Sequence, residues 1–542
     1  MAILPDIECT IGDELAAAVD RYHDAPLLIV PRDPDRDYDA TGRILSYEQA
    51  QSEVARIAQM LKAAGYGHGH RIAVLLENRI ENLLVKLACA VRGVSWVPVN
   101  PDYRPAEIAY LLQDSGADLA LTTAGREELM RAGLTESGRD TDLMMFDAST
   151  QSLSRPSRPQ PLDGLPSPKT ESSLLYTSGT TGRPKGCIVS HAYELMIGKW
   201  YATRGGLLTM QEGAERIYNP LPLFHINSSI FSFFAAMQTG NCQILPERFS
   251  RTRWWRDIRE TEATIIHYLG AIVPVLLSQP PGPRDRDHKI KFGMGGGVEP
   301  TVHREFEERF GFPLIEGWAM TESCRMLAAN EEPRHIDTRA IGRPQPGLEV
   351  RVVDDDDNEV PVGQPGEMLV RHSAETPRHG AFSGYLNQPE ATDEGWRGGW
   401  WHTGDTVHQD ETGMIYFVDR KKNIIRRSGE NVAAAEVEAC LQGVDVVAQV
   451  AVLAVPDEVR DEEVMACVVL AGETPREVAA RRIFDHAYAN LAYYKAPGWI
   501  ALVEALPVTG TQKVLKHMIF KDGKDPLSRP NTFDFRELKK RA

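Results

Sequence analysis

"RIAVLLENRIENLLVKLACAVRGVSWVPVN" (Arg71–Asn100) changes its apolar period twice within one short stretch. "RIAVLL" is short and apolar, as a strand buried on both faces must be. "ENLLVKLACAVRG" then repeats its apolar residues at helical spacing and stops at Gly93, and "VSWVPVN" returns to a strand. The alternation extends outward. "SYEQAQSEVARIAQMLKAAGYG" (46–67) and "PAEIAYLLQDSG" (105–116) predict flanking helices, and "DLALTT" (118–123) a further strand. Strands and helices alternating through short turns predict an α/β fold, a mostly parallel sheet covered by helices.

At 542 residues the chain is too long for one core, so two to four domains are expected. Lys and Arg number 60 against 76 Asp and Glu, a net charge of -16. That balance argues against a nucleic-acid backbone as main partner, yet leaves room for a local basic patch that receives a polyphosphate. The seven cysteines are dispersed without a C-x-x-C pair, which predicts reduced thiols rather than a disulfide framework or zinc site. "MAILPDIECTIGDELAAAVDRYHD" lacks a basic and apolar leader, and no apolar run nears the roughly 18–20 residues a membrane span needs. A cytoplasmic protein is the expectation, with "SSIFSFFAAM" (228–237) a buried core helix.

Residues 149–171 are rich in Ser, Pro and charge and predict a surface connector. Beyond residue 340 the texture turns β-rich, as in "EVRVVDDDDNEVPVGQPGEMLVR" (349–371) and "GMIYFVDR" (413–420). Asp354–Asp357 read as a solvated hairpin turn rather than a metal site. "VAQVAVLAVPDEVRDEEVMACVVL" (447–470) predicts two strands about a Pro–Asp turn, inside a segment long enough for a small domain.

One loop carries chemistry of its own: "YTSGTTGRPKG", Tyr176–Gly186, following the predicted strand "SSLL". Gly179, Gly182 and Gly186 let the backbone turn tightly and expose N–H groups to an anion. Thr177, Ser178, Thr180 and Thr181 add hydroxyl donors, and Lys185 a point charge for phosphate oxygens. It is not the G-x-x-x-x-G-K-[ST] phosphate loop, because Lys185 follows Pro184 and precedes Gly186. A Gly/Ser/Thr loop alone is usually a polar surface loop; the strand, the hydroxyls and the lysine together point to phosphate.

This loop resembles the signature of the adenylate-forming (AMP-binding) superfamily of acyl-CoA synthetases, luciferases and nonribosomal adenylation domains. "NPLPLFHINSS" (219–229), "FGMGGGVEP" (292–300), "EGWAMTES" (316–323), "GWWHTGD" (399–405), "DRKKNIIRRSGENVAAAEVE" (419–438) and "LPVTGTQKVLKH" (506–517) follow in that family's order. The resemblance covers nearly the whole chain and is nearest in texture to bacterial acid–CoA ligases of the crotonobetaine/carnitine type. It implies a large N-terminal domain of stacked α/β subdomains plus a β-rich subdomain over residues 1–421, holding the ATP and acyl sites. A small mobile α+β C-terminal lid over 422–542 would carry the catalytic lysine.

The implied reaction joins a carboxylate to ATP, so the site must neutralise charge and align the nucleophile with the α-phosphorus. By resemblance, Glu322 with Thr321 holds Mg²⁺, a hard cation that wants carboxylate oxygen. Thr177 to Gly182 and Lys185 restrain the departing pyrophosphate. Gly295, Gly296 and Gly297, with Glu316 and Gly317, form the turn that adenine approaches. Trp318 stands where many relatives carry Tyr and presents a face to adenine, and Ala319 replaces a usual Gly. Asp405 accepts from the ribose hydroxyls, and Arg420 contacts ribose or phosphate. Lys513 bridges the acyl carboxylate and α-phosphate; it follows Gln512 where relatives carry Gly. Lys422 is the implied hinge, and rotation about it would bring in the loop at Ser428, Gly429 and Glu430 for the thiol step.

His225 occupies the position that gates the acyl channel, although a histidine in an apolar run is by default a satisfied core residue. The acid pocket is expected from His225, Asn227, His267, Tyr268, Gly270, Met294, Trp318, Met320 and Arg325, a bulky wall that suits a short or medium acid. Arg325 has two readings: a partner for a second carboxylate on the substrate, or a surface ion pair, the more ordinary one. The chain ends soon after the lysine motif, so coenzyme A is the expected acceptor. A carrier protein or an amine is the same-fold alternative, and an inactive nucleotide-binding regulator the alternative of another class. ATP, Mg²⁺ and coenzyme A are the implied cofactors, and a homodimer is the expectation from relatives.

Overall fold

The computed structural model describes residues 6–156, 158–177, 183–270, 272–298, 300–354, 356–420, 424–507, 514, 516, 519–520 and 525–540. The quoted stretch folds as read: strand Arg71–Leu75, helix Ile80–Arg92 and strand Ser95–Pro98. Helix Tyr47–Ala64 precedes it, and helix Pro105–Ser115 and strand Leu119–Thr122 follow. The first helix starts where Ser46 and Gln49 cap one another and ends at Gly65 in the left-handed region.

These strands form a seven-stranded sheet in the order Gly384–Tyr385, Lys185–Ser190, Glu171–Thr177, Ser95–Pro98, Arg71–Leu75, Leu119–Thr122, Asp142–Met145. Its central pairs are parallel. Strand Lys185–Ser190 instead returns antiparallel to Glu171–Thr177. The two strands that flank the hydroxyl- and glycine-rich loop are therefore antiparallel partners. The next helix begins only at His191, at the opposite end of the return strand.

A second, eight-stranded sheet runs Ser323–Ala328, Leu314–Met320, Phe292–Gly295, Ile265–His267, Arg216–Tyr218, Cys242–Ile244, Pro26–Val30, Arg43–Ser46. It is parallel except for its two edge pairs. Between the sheets, helix His191–Ala202 and helix Ile80–Arg92 are joined by a buried ion pair, Lys86 Nζ to Glu194 Oε2 at 2.7 Å. Burial of charge is tolerated because Ser172 and Ser173 also donate to the carboxylate. The expected core helix at 228–237 is buried, but it opens with a widened π turn, Asn227–Ser232, before α-helix Phe233–Gln238. Ser232 Oγ donates to Asn227 O at 3.1 Å and competes there with the regular backbone ladder.

The β-rich region is a five-stranded antiparallel sheet between Ala340 and Arg420. Asp354 makes the expected turn, its Oδ1 accepting from Asp356 and Asn358 N–H groups. A six-stranded sheet from Ile424 to Asp534, with helices Ala434–Gln442 and Arg476–Asn490, has its own apolar core. The fold is thus α/β with a large N-terminal domain and a small C-terminal domain. The connector at 149–171 is mainly irregular and exposed, and among the described residues no helix is long and apolar enough to cross a membrane. The described cysteines whose side chains are placed all carry free thiols.

Candidate active site

Thr321 and Glu322 form the turn between strands Leu314–Met320 and Ser323–Ala328. Tyr193 Oη holds this turn from below, donating to Thr321 O at 2.8 Å. Glu322 is buried, and Tyr385 Oη donates to its Oε1 at 2.7 Å. Burial first, then the carboxylate, pushes the Tyr385 phenol far above its ordinary range, so it stays a donor. Cys187 Sγ lies 3.8 Å from the same oxygen, and Thr177 Oγ1 3.6 Å from that sulfur. Lys185 Nζ stands over the Tyr385 ring, 4.7 Å from its centroid. Thr177, Lys185 and Glu322, from two distant motifs, are thus brought together around Tyr385. Ser178–Gly182 lie outside the described residues, as do Lys422 and Lys513.

The glycine turn is built around Glu316. Its Oε1 accepts from Tyr268 Oη at 2.7 Å, and its Oε2 from the N–H groups of Gly297 and Val298 at 2.8 and 3.3 Å. Burial raises its pKa against the pull of these bonds. A Cβ on Gly296 would stand 2.7 Å from Gly317 O, so only glycine lets the two segments approach. Glu316, Gly317 and Gly295–Gly297 are therefore one unit, with the carboxylate acting as its internal brace. Beside it Trp318 Nε1 donates to Asp405 Oδ2 at 2.7 Å, tying the expected adenine face to the expected ribose acceptor. Arg420 lies opposite Asp405 in the strand register; its side chain is outside the described set.

On the acid side His267 is buried and satisfied at both nitrogens, by Asn227 Oδ1 at 2.8 Å and Tyr201 Oη at 3.1 Å. The network assigns its proton to Nδ1, since Asn227 Oδ1 also accepts from Asn219 Nδ2 at 2.9 Å. Burial pushes the imidazole down to about 3, so it is neutral at working pH. Tyr201 stacks on Phe231 with centroids 4.1 Å apart. Met294 is buried in the same core cluster as Tyr201 and Phe231, whereas Tyr268 is buried in a separate one; Met320 is half-buried, and Gly270 N–H donates to Gly296 O at 3.0 Å. Arg325 departs from the ordinary reading. It does not lie on the surface but is 5% exposed, its Nη1 donating to His379 O at 2.6 Å. The cause is register: it stands inside a strand whose neighbours Met326 and Leu327 are core.

His225 is not a satisfied core residue either. Its half-exposed ring lies 3.4 Å from Glu430 Oε2 of the C-terminal domain. Gly429 is left-handed, φ +87°, and a Cβ there would stand 2.1 Å from Leu269 Cδ1. The Ser428–Glu430 loop thus reaches the N-terminal site. Lys495 fastens the same arrangement: its buried Nζ donates to Glu107 of the large domain at 2.7 Å and to Glu436 at 2.8 Å. Asn100 Nδ2 donates to Tyr494 Oη at 2.8 Å beside it.

Tyr385, Tyr201 and Lys495 escaped the sequence reading. They carry no periodic or motif signal, and only their distances to Glu322, His267 and Glu107 mark them.

Residues 15–386 match the AMP-binding enzyme family, and residues 436–513 the AMP-binding enzyme C-terminal domain. The chain belongs to the AMP-binding enzyme family, in the branch of the acid–CoA ligases. It is 29% identical to sulfoacetate–CoA ligase of Cupriavidus necator, covering 94% of this chain and 97% of that one. It is 30% identical to crotonobetaine/carnitine–CoA ligase of Citrobacter koseri, covering 88% and 92%. A double mutant of o-succinylbenzoate–CoA synthetase from Bacillus subtilis, bound to a product analogue, superposes with a TM-score of 0.81 at 24% identity, over 95% of this chain and 99% of that one. The same enzyme with its acyl-adenylate intermediate gives 0.66 at 25% identity, over 96% and 99%.

Proposed function

We propose that this protein is an ATP-dependent acid–CoA ligase that converts a short or medium carboxylic acid first to acyl-AMP and then to its CoA thioester. In the first step the carboxylate oxygen attacks the α-phosphorus of ATP and pyrophosphate leaves. In the second the thiol sulfur attacks the acyl carbon and AMP leaves. The observation that carries this reading is the contact of the Ser428–Glu430 loop with Leu269 and His225. On this reading the loop would serve the second substrate beside the acid site, as a thiol step requires. The higher TM-score against the product-analogue complex than against the adenylate complex of one enzyme, at nearly equal coverage, supports the same orientation.

Glu322 fits a magnesium ion: a buried carboxylate with one oxygen held by a phenol in a lysine-bearing cleft. When bound, that ion would spread the phosphate charge. Lys185 and Thr177 would restrain the pyrophosphate, and Trp318 and Asp405 would seat the nucleoside. Lys513 would neutralise the reacting centre from a lid domain that begins near Lys422. A cytoplasmic location is the one the reduced cysteines suit.

The test is pyrophosphate release across a panel of acids, with and without coenzyme A, products identified by mass spectrometry. Pyrophosphate and thioester are expected. Adenylate without thioester would assign another acceptor, and no pyrophosphate with any acid would leave a nucleotide-binding regulator.

A further inference from the structure

Strands Ile424–Arg427 and Glu430–Ala433 pair as a hairpin with Arg427 opposite Glu430, so Ser428 and Gly429 form its tip. Both sit in the left-handed region, φ +51° and +87°, as a two-residue hairpin tip of this kind requires. Where the tip points is therefore set at its base, by whatever holds Arg427. Arg427 is buried, and its Nε donates to both oxygens of Glu463, at 2.9 and 2.8 Å. Glu463 is buried in strand Asp461–Leu470, which meets the hairpin where Arg427 lies opposite Asp461.

The same carboxylate holds a second buried cation. Lys539 Nζ donates to Glu463 Oε1 and, at 3.4 Å, to Tyr494 O. Gly498 leaves room for the pair, since a Cβ there would stand 2.5 Å from Glu463 Cδ. Lys539 follows strand Thr532–Asp534, which pairs with Trp499–Leu502 at the edge of the small domain's sheet. This segment lies beyond residues 436–513, the stretch that matches the family's C-terminal domain. Phe535 N–H donates to Gly498 O at 2.8 Å and Tyr488 Oη to Lys540 O at 2.7 Å, which seat it on either side.

A second route runs beside the first. Arg536 Nη1 donates to Asp457 Oδ2 at 2.9 Å, and Asp457 Oδ1 accepts from the N–H groups of Val459 and Arg460 at 3.0 and 2.9 Å. Arg460 O in turn accepts from Ser428 N–H at 2.9 Å. Residues 535–540 thus reach both Arg427 and Ser428, each through one buried carboxylate. A carboxylate held from one side can turn toward another cation, and Arg460 Nε stands 4.0 Å from Glu463 Oε2. Lys539 occupies Oε1 and so keeps the carboxylate aligned on Arg427. Without Lys539, Glu463 would still face Arg427 and Arg460, so no buried charge would be stranded; its single orientation would be lost.

We infer that Lys539 and Arg536 are positioning residues for the thiol step, holding the Ser428–Glu430 loop through Glu463 and Asp457 where it meets His225 and Leu269. The inference rests on the acid–CoA ligase reading and deepens its second step. On that reading Lys513, in the same small domain, serves adenylate formation. A general loosening of the domain would therefore slow both steps, whereas a misplaced Ser428 loop slows one.

The test is a pair of single-turnover assays on the full chain, using the acid that releases most pyrophosphate in the panel above. One follows adenylate formation from acid and ATP, the other thioester formation from supplied acyl-adenylate and coenzyme A. In Lys539→Met the thioester step is expected to slow by about tenfold or more, with adenylate formation nearly unchanged. Arg427→Gln should slow the same step, and the double variant no further, since the lysine acts through the arginine. Arg536→Gln, at a half-buried site, moves the same step and serves where Lys539→Met does not fold. Equal losses in both steps, or none in either, overturn the inference and leave the ligase reading standing. So do additive losses in the double variant. A wild type that forms no adenylate, or adenylate without thioester, overturns the ligase reading itself, and the inference with it.

Discussion

Tyr385 decides how Glu322 is presented. A carboxylate with one oxygen held at 2.7 Å by a half-buried phenol is fixed in its rotamer. A hydrogen bond to a charged group contributes about 1.5–3 kcal/mol. Tyr385→Phe should therefore slow pyrophosphate formation by about tenfold or more without altering the order of acid preference, which steady-state assays on two acids can check. Lys185→Ala should do likewise, since its ammonium stands over the same ring and, on the proposed reading, would meet phosphate rather than acid. Trp318→Phe removes the indole donor from Asp405, and the KM for ATP is expected to rise with that for the acid little changed. An equal rise in both would place Asp405 away from the nucleoside.

Among the elements, strand Leu314–Met320 bears the most. Its Glu316 braces the glycine turn, and its first residue is anchored by Glu307 of helix Pro300–Phe310. Burial alone would raise the Glu307 pKa. Bonds from Arg334, His303 and the Leu314 N–H overcome it and hold the group at about 2. The folded pKa lies below the unfolded value, so Glu307 contributes stability above the unfolded pKa that is lost as pH falls toward about 2. Glu307→Gln should lower Tm at neutral pH and flatten its decline between about pH 4.5 and 2, measurable by circular dichroism. Equal slopes for both proteins would show that the arginine contact is not an effective ion pair.

For the whole molecule, the question is what holds the small domain against the large one. Lys495 lies between Glu107 and Glu436, and the two carboxylates together raise its pKa against the effect of burial. Removing it would strand two acidic groups at the interface, a loss of about 3–5 kcal/mol when a buried pair is broken. Lys495→Met should slow thioester formation from supplied acyl-adenylate by about tenfold or more while leaving adenylate formation nearly unchanged. Lys513→Ala should show the opposite split. Rapid-quench assays of the two half-reactions read both, and equal losses in the two steps would sink the two-orientation reading.

By itself the sequence determined the α/β class, the strands and helices of residues 46–123, the β-rich region and the small C-terminal domain. These follow from local period and turn chemistry, which each segment carries alone. It also marked Glu322, Lys185, Trp318 and Asp405, because their motifs are contiguous. Only the tertiary structure decided that the strands on either side of the Gly/Ser/Thr-rich loop pair antiparallel, that Glu316 braces its neighbours, and that Arg325 is buried. The last two depend on contacts between separate segments, such as Glu316 with Tyr268 and Arg325 with His379. Burial turns such contacts from neutral to decisive, because a charge withdrawn from water must find its partner wherever the fold has placed one.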